Sequence, residues 1–573
     1  MRKFLFLFLF FIPSVLMAQV FSRDTTIAWH TFKYELNDDN TIKWNTSTEF
    51  DTVSKIFSGI ILENEYLKVT VVPEFGARII SMIYKPTGKE ELYINPCGAP
   101  YGVGEDWFYY KWLMVYGGIF PTLPEPEHGK AWLLPWKYSF LKKTPDTVSL
   151  QMSWQDTVQL QDINLGKWQY GETGIKCNYT VTLVKGASSL EANVDLYNDS
   201  SKNLNYEYWT CLTVAPGSEP GNPMCTNGTE FIIPTSEVKI PSWYPDIAAQ
   251  EKRIPGQSGI YTFTKLRLWK NWTNDGIAYA WDDPNKNFWG VINHDNEEGF
   301  FRIADNNITP GIKLWAWGYQ QSQNIDPFKD PNETHRPYVE LWAGNSNEFF
   351  VPAGFAMNSE KHWKETYFPT VRLSNVTNAN NEILADFKIT GDTAALAFFA
   401  SHPQNYLNVK LEITGDNETT LAEQTMLPDP LNGNRLAANL PGNQSWSLND
   451  SLKFTIRDSL TGYYLSGTIP LDTIATDISD QPITSVKDFK LYQNYPNPFN
   501  PTTSIKYQIP QSGYATLKVY DVLGKEVKSL VNKMMNNGNY EVRFDGSNLP
   551  SGIYFYQLKI NNYTSTKKMM LVK

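Results

Sequence analysis

The 573 residues predict an all-β protein of several domains. Short runs of alternating apolar and polar residues, bounded by Gly, Pro, Asn and Asp, recur along the chain, and apolar spacing at the helical period is nearly absent. The length exceeds what one compact core needs, so three or more domains follow.

The N-terminus comes first. Arg2 and Lys3 precede an apolar run from Phe4 to Phe11, and Leu16-Met17-Ala18 stands before Gln19. This is the pattern of a signal peptide over residues 1–18. The run is short for a membrane span and Pro13 interrupts it. No other stretch is apolar enough to cross a bilayer, so no transmembrane span is expected once the signal is removed. Residues 19–52 are polar and mixed, an extended lead-in.

Residues 53–370 are dense in strand signals, among them Tyr66 to Val72, Lys176 to Val184, Leu190 to Tyr197 and Gly276 to Trp281. An all-β region of that size implies a large sandwich or barrel. Over residues 371–472 the aromatics thin out, and Ile383 to Ile389, Leu407 to Ile413 and Leu452 to Ile456 predict an immunoglobulin-like sandwich. Residues 473–487 are polar and read as a linker. In residues 488–573, Ala515, Leu517 and Val519 alternate with Thr516, Lys518 and Tyr520, with turns at Asp545-Gly546 and Pro550-Ser551-Gly552. A small C-terminal β-sandwich follows.

Net charge is −10 with no basic cluster, which excludes nucleic acid as the expected partner. Aromatic residues make up 14% of the chain, with 19 Trp and 32 Tyr. Such rings either fill sandwich cores or stack on sugars. Cys97, Cys177, Cys211 and Cys225 allow three disulfide pairings, and their spacing neither selects one nor suggests a metal. Nucleophile elbow, phosphate loop and zinc motifs are missing, so no cofactor and no metal is expected. Asp282 to Asn287 reads as an Asp-Pro turn, since the bidentate Glu of a calcium loop is lacking.

Two segments concentrate chemistry. In Lys313-Leu314-Trp315-Ala316-Trp317, alternation places Lys313, Trp315 and Trp317 on one strand face. In Tyr338-Val339-Glu340-Leu341-Trp342 it places Tyr338, Glu340 and Trp342 together. A carboxylate framed by aromatics suits a sugar cleft, whereas a Glu340–Lys313 salt bridge on an exposed face is the alternative. Arg78, after a Gly turn in FGARII, either clamps a carboxylate or forms a structural ion pair. Trp107, Trp112, Trp132 and Trp136 crowd the loops around His128, while His335 precedes the Glu340 strand in a loop.

Two family resemblances add to this reading. LYQNYPNPFNPTTSIKYQIP, the strand and turn VYDVLGK, and GIYFYQL resemble the C-terminal sorting domain of the type IX secretion system. That resemblance implies export to the cell surface or beyond, with the secretion machinery as a partner. Glu63 to Pro96, Tyr116 to Trp136, Phe300 to Gln321 and Arg336 to Thr370 resemble the bacterial domain of unknown function 5107, related to the galactose mutarotase-like superfamily. GIKLWAWG and PYVELWAG are its most specific elements. The resemblance implies a galactose mutarotase-like β-supersandwich with a carbohydrate ligand, an oligo- or polysaccharide. Glu340 is similar to the mutarotase base, and His128 in EHGKAW to a substrate-contacting element. The mutarotase acid is a histidine on a middle strand, and the matching Tyr208-Trp209-Thr210-Cys211 has none. The expectation is therefore a secreted protein that binds or processes carbohydrate. Glu340 would do the acid/base chemistry; His128, Trp315, Trp317, Trp342, Tyr338, Lys313 and Arg78 would hold the sugar. A non-catalytic glycan-binding module and a structural surface protein are the alternatives.

Overall fold

The alternating runs become strands in the computed structural model. It describes residues 19–32, 35–36, 42–43, 52–101, 112–114, 117–124, 129–131, 134–157, 172–281, 286–317, 338–416, 418–441, 449–458, 460–471, 489–494, 497–509, 513–535, 538–561 and 563–572. The expected signal peptide and linker, together with Trp107, His128, Trp132, His335 and the Asp282–Asn285 part of the expected turn, lie outside those residues. The chain divides into two compact units, residues 1–472 and 473–573.

In the first unit two large sheets share one apolar core. Among the described residues the larger sheet has 14 strands and the smaller 8. Across the part of the larger sheet that matters here, the neighbours run Glu237–Lys239, Gly276–Ala280, Gly311–Ala316, Val339–Gly344, Trp209–Ser218, Gly118–Thr122 and Arg78–Tyr84. Phe21–Phe32, within the expected lead-in, pairs antiparallel along its length with Thr52–Glu63 and so extends the same sheet. The core takes Val69, Leu212, Leu314 and Leu341 from the larger sheet and Leu150, Val181, Val194 and Phe301 from the smaller. Each such side chain contributes about 1.5–3 kcal/mol when fully buried, so this layer holds the sheets together. Among the described residues helix is confined to short turns such as Pro245–Ala248.

The core also contains a buried charge pair. Arg302, on Glu298–Ala304, donates from Nε and Nη2 to the two oxygens of Glu365 on Ser359–Val371, at 3.0 and 2.9 Å. Both side chains are fully buried. Glu365 further accepts hydrogen bonds from Trp363 Nε1 (2.9 Å), Tyr367 Oη (2.5 Å) and Thr210 Oγ1 (3.0 Å). Thr210 belongs to the larger sheet, so one carboxylate ties the two layers.

Residues 371–472 carry the two four-stranded sheets expected of an immunoglobulin-like sandwich. Its Leu384 and Phe399 join the main core, and Tyr84 Oη donates to the Pro430 carbonyl at 2.6 Å. In the second unit, sheets of three and four strands enclose Ile505, Leu517, Tyr556 and Leu571. Ala515, Leu517 and Val519 are buried, as alternation predicts. Cys177, Cys211 and Cys225 are buried free thiols, and Cys97 is buried as well. Among the described residues no helix is long and apolar enough to cross a membrane.

Glu365→Gln leaves Arg302 buried opposite a neutral partner, and urea unfolding should show a loss of about 3–5 kcal/mol. Replacing Arg302 and Glu365 together by Met and Leu should cost less than the single change. Burial pushes the Glu365 carboxyl up, but Arg302, Tyr367 and Trp363 outweigh it and hold the carboxyl below its ordinary value of 4.5. Stability from this group is therefore complete above that pH and is lost as pH falls through the depressed folded value.

Candidate functional site

Alternation on the larger sheet turns one face to the core and leaves the other for different chemistry. On Val339–Gly344, Val339, Leu341 and Ala343 join the main core, whereas Trp342 joins a separate cluster with Phe120, Trp209, Cys211, Ile277, Tyr279 and Phe349. Antiparallel register sets these side chains in rows across the strands. One row runs Lys239, Tyr279, Lys313, Trp342, Cys211 and Phe120. The next runs Ile277, Trp315, Glu340, Thr213 and Gly118.

Glu340 lies at the centre. Its residue is 6% exposed, and Trp342 Nε1 donates to its Oε2 at 2.7 Å. Burial raises the Glu340 carboxyl above its ordinary value, partly offset by Lys313, by hydrogen bonds from Trp342 and Tyr338, and by Arg78. Lys313 Nζ sits 4.1 Å from the Trp342 ring centre and 4.2 Å from that of Phe349. The Arg78 guanidinium lies 3.6 Å from the Phe120 ring centre, and its Nη1 donates to the Gly117 carbonyl at 2.5 Å. Burial lowers Arg78 to about 9, with Cys211 and Glu340 pulling the other way, so it remains a cation at neutral pH. Burial also raises the Cys211 thiol well above its ordinary value, which keeps it protonated and unreactive.

The close approach around Arg78 depends on glycine. Gly118 has φ +81°, and a Cβ there would stand 2.3 Å from the Ile79 carbonyl oxygen and 3.3 Å from Arg78 Cγ. A larger residue would push the Phe120 strand off the Arg78 strand.

The face carries Lys313, Trp315, Glu340 and Trp342 together, as their alternation predicts. Tyr338 and Trp317, each just outside its strand, also reach the main core, and Tyr338 still bears on the Glu340 carboxyl. Tyr338 belongs to the main core and stacks on Tyr93 at 4.3 Å. Trp317 packs against the main core and meets Trp315 edge-on at 5.6 Å. Trp342 is 1% exposed and holds Glu340, whereas Trp315 is only half-buried. Phe120, Thr213, Tyr279 and Phe349 are not singled out by the sequence, and Cys211 only as a cysteine and as the end of the run that lacks a histidine. Trp209-Thr210-Cys211-Leu212-Thr213 does alternate, but nothing in that run says which strand it pairs with. Among the described residues His294, His362 and His402 pair with Glu230, Asp195 and Glu382, none of which lines this cluster.

Comparison with known proteins gives two family matches. Residues 43–102 and 172–370 match the model described as Domain of unknown function (DUF5107), and residues 493–573 match the Secretion system C-terminal sorting domain. The central region is DUF5107-like and the chain ends in a type IX sorting domain. That domain marks the protein for export to the cell surface or the extracellular space. Similar solved structures include a TPR-domain containing protein from Parabacteroides distasonis, 18% identical with a TM-score of 0.47. The match covers 61% of this chain and 55% of that one, so this chain spans about half of its length. A putative aldose 1-epimerase from Klebsiella pneumoniae is 11% identical over 61% of this chain and 91% of its own, with a TM-score of 0.38. A galactose mutarotase-like protein from Lactobacillus casei is 11% identical over 54% and 99%, with a TM-score of 0.33.

The raised Glu340 carboxyl makes a signed prediction. A carboxyl whose folded-state pKa is raised costs stability as pH climbs from its ordinary value through the folded one. Relative to Glu340→Gln, the unmodified protein should lose stability over that window. Paired thermal melts across pH would show parallel profiles if Glu340 titrated normally.

Proposed function

We propose that this DUF5107-like protein binds carbohydrate outside the cell through the Glu340 face of its larger sheet, and that any chemistry there is proton transfer by Glu340. A carboxyl raised by burial, offset in part by two buried cations and hydrogen-bonded by a tryptophan, on the sheet face turned away from the core, is the observation that carries this reading. Burial that disfavours the charged form makes such a group a readier proton donor than an ordinary carboxylate. Arg78 and Lys313 offset negative charge that develops beside it. Trp315, half-buried at the edge of the cluster, offers the ring on which a sugar stacks, while Trp342 positions the carboxyl.

A non-catalytic glycan-binding role is the second reading. It is favoured by the Tyr208-Trp209-Thr210-Cys211 run, which holds no histidine where the mutarotase resemblance calls for one. Calorimetry against neutral oligosaccharides and uronic-acid polymers, followed by product analysis of each hit, separates the two. Trp315→Ala should weaken binding by about fivefold, the value of one stacked ring. Glu340→Gln should leave affinity within a few-fold and, for an enzyme, cut turnover by about 10²–10⁴-fold. Binding without any product in the unmodified protein would make it a lectin. No saturable heat across the panel would end the carbohydrate reading.

A further inference from the structure

An aromatic path leaves the Glu340 cluster and ends in solvent. Trp315 meets Tyr244 edge-on at 6.2 Å, and Tyr244 meets Trp243 at 6.2 Å. Trp243 is 66% exposed, an unusual position for the largest apolar side chain. Its backbone is fixed. Tyr244 N–H donates to the Pro241 carbonyl at 3.0 Å, and the turn Pro245–Ala248 follows with Ile247 fully buried. The exposed ring is thus held out on a rigid support.

A polar rim runs along the same face. Lys239 stands in the row that contains Lys313 and Trp342, and its Nζ bonds Glu348 Oε1 at 2.6 Å. The same ammonium lies 4.8 Å from the ring centre of Trp281, which is 40% exposed. Flat apolar rings beside charged hydrogen-bonding groups match the two kinds of surface on a pyranose, apolar C–H faces and hydroxyl edges.

We propose that the ligand is a glycan chain rather than a free monosaccharide. It runs from the Glu340 row over Trp315 and Tyr244 to a distal subsite on Trp243, with Lys239, Glu348 and Trp281 along its edge. This rests on the carbohydrate reading and adds ligand length to it. A protein-docking patch would also expose Trp243, but it would not need a path continuous with a buried carboxyl.

The test uses the full-length protein and calorimetry with neutral and uronic-acid oligosaccharides of one to six units. Trp243→Ala should bind the longest chains about fivefold more weakly and bind one- and two-unit ligands unchanged. Because Trp243 lies largely in solvent, its removal should leave the melting temperature unaltered, so the comparison is between folded proteins. Equal affinity of both proteins for the longest chains would overturn the distal subsite while leaving the sugar site intact. An unmodified protein that bound none of the series would overturn both, and the two failures are thereby distinguished.

Discussion

The buried carboxylate of Glu365 is the constraint on which the architecture turns. An uncompensated charge in this interior would cost several kcal/mol, so Glu365 is tolerable only with Arg302, Trp363, Tyr367 and Thr210 all in place. Four of the five groups in this knot come from two neighbouring strands of the smaller sheet, and Thr210 comes from the larger. Apolar packing brings two sheets together without specifying their relative slide; a multiply bonded carboxylate selects one alignment. Thr210 lies between Trp209 and Cys211, which point to the opposite face. The knot therefore anchors from behind the strand that floors the Glu340 cluster.

A sheet has two faces, and this one uses them for different ends. Leu212, Leu314 and Leu341 build the core, while Cys211, Lys313 and Glu340, one residue away along the same strands, build a polar and aromatic layer. Burial there works against the charged form of a lone carboxyl, and the nearby cations offset it only in part. The result is a carboxyl poised above its ordinary range, set by the environment and not by the residue type. Burial raises the Cys211 thiol in the same layer too, and there the result is a protonated, inert group.

Export bears on the cysteines too. An exported chain meets oxidising conditions, in which exposed thiols pair or oxidise. Cys177, Cys211 and Cys225 are buried within the strands and loops of the first unit, and burial raises all three thiols. Inaccessibility serves here in place of a disulfide framework, as suits a domain large enough to hold its core without one.

The sequence by itself determined the class and much of the local detail. Alternation is a short-range property of an extended chain, so it correctly separated Lys313 and Trp315 from Leu314 and Ala316, and Glu340 and Trp342 from Leu341. The sorting domain was equally legible, because its turns and strands lie in one continuous segment. Tertiary structure alone decided which strands are neighbours and in what register. Thr213 stands opposite Glu340, and Cys211 and Lys313 flank Trp342, through pairings between segments far apart in the chain. Nothing local encodes those partners. The same holds for the packing of Tyr338 and Trp317 against the main core, since strand ends are set by what the neighbouring chain pairs with. Glu365 was passed over for the same reason: its role appears only when Arg302 and Thr210 arrive from other strands.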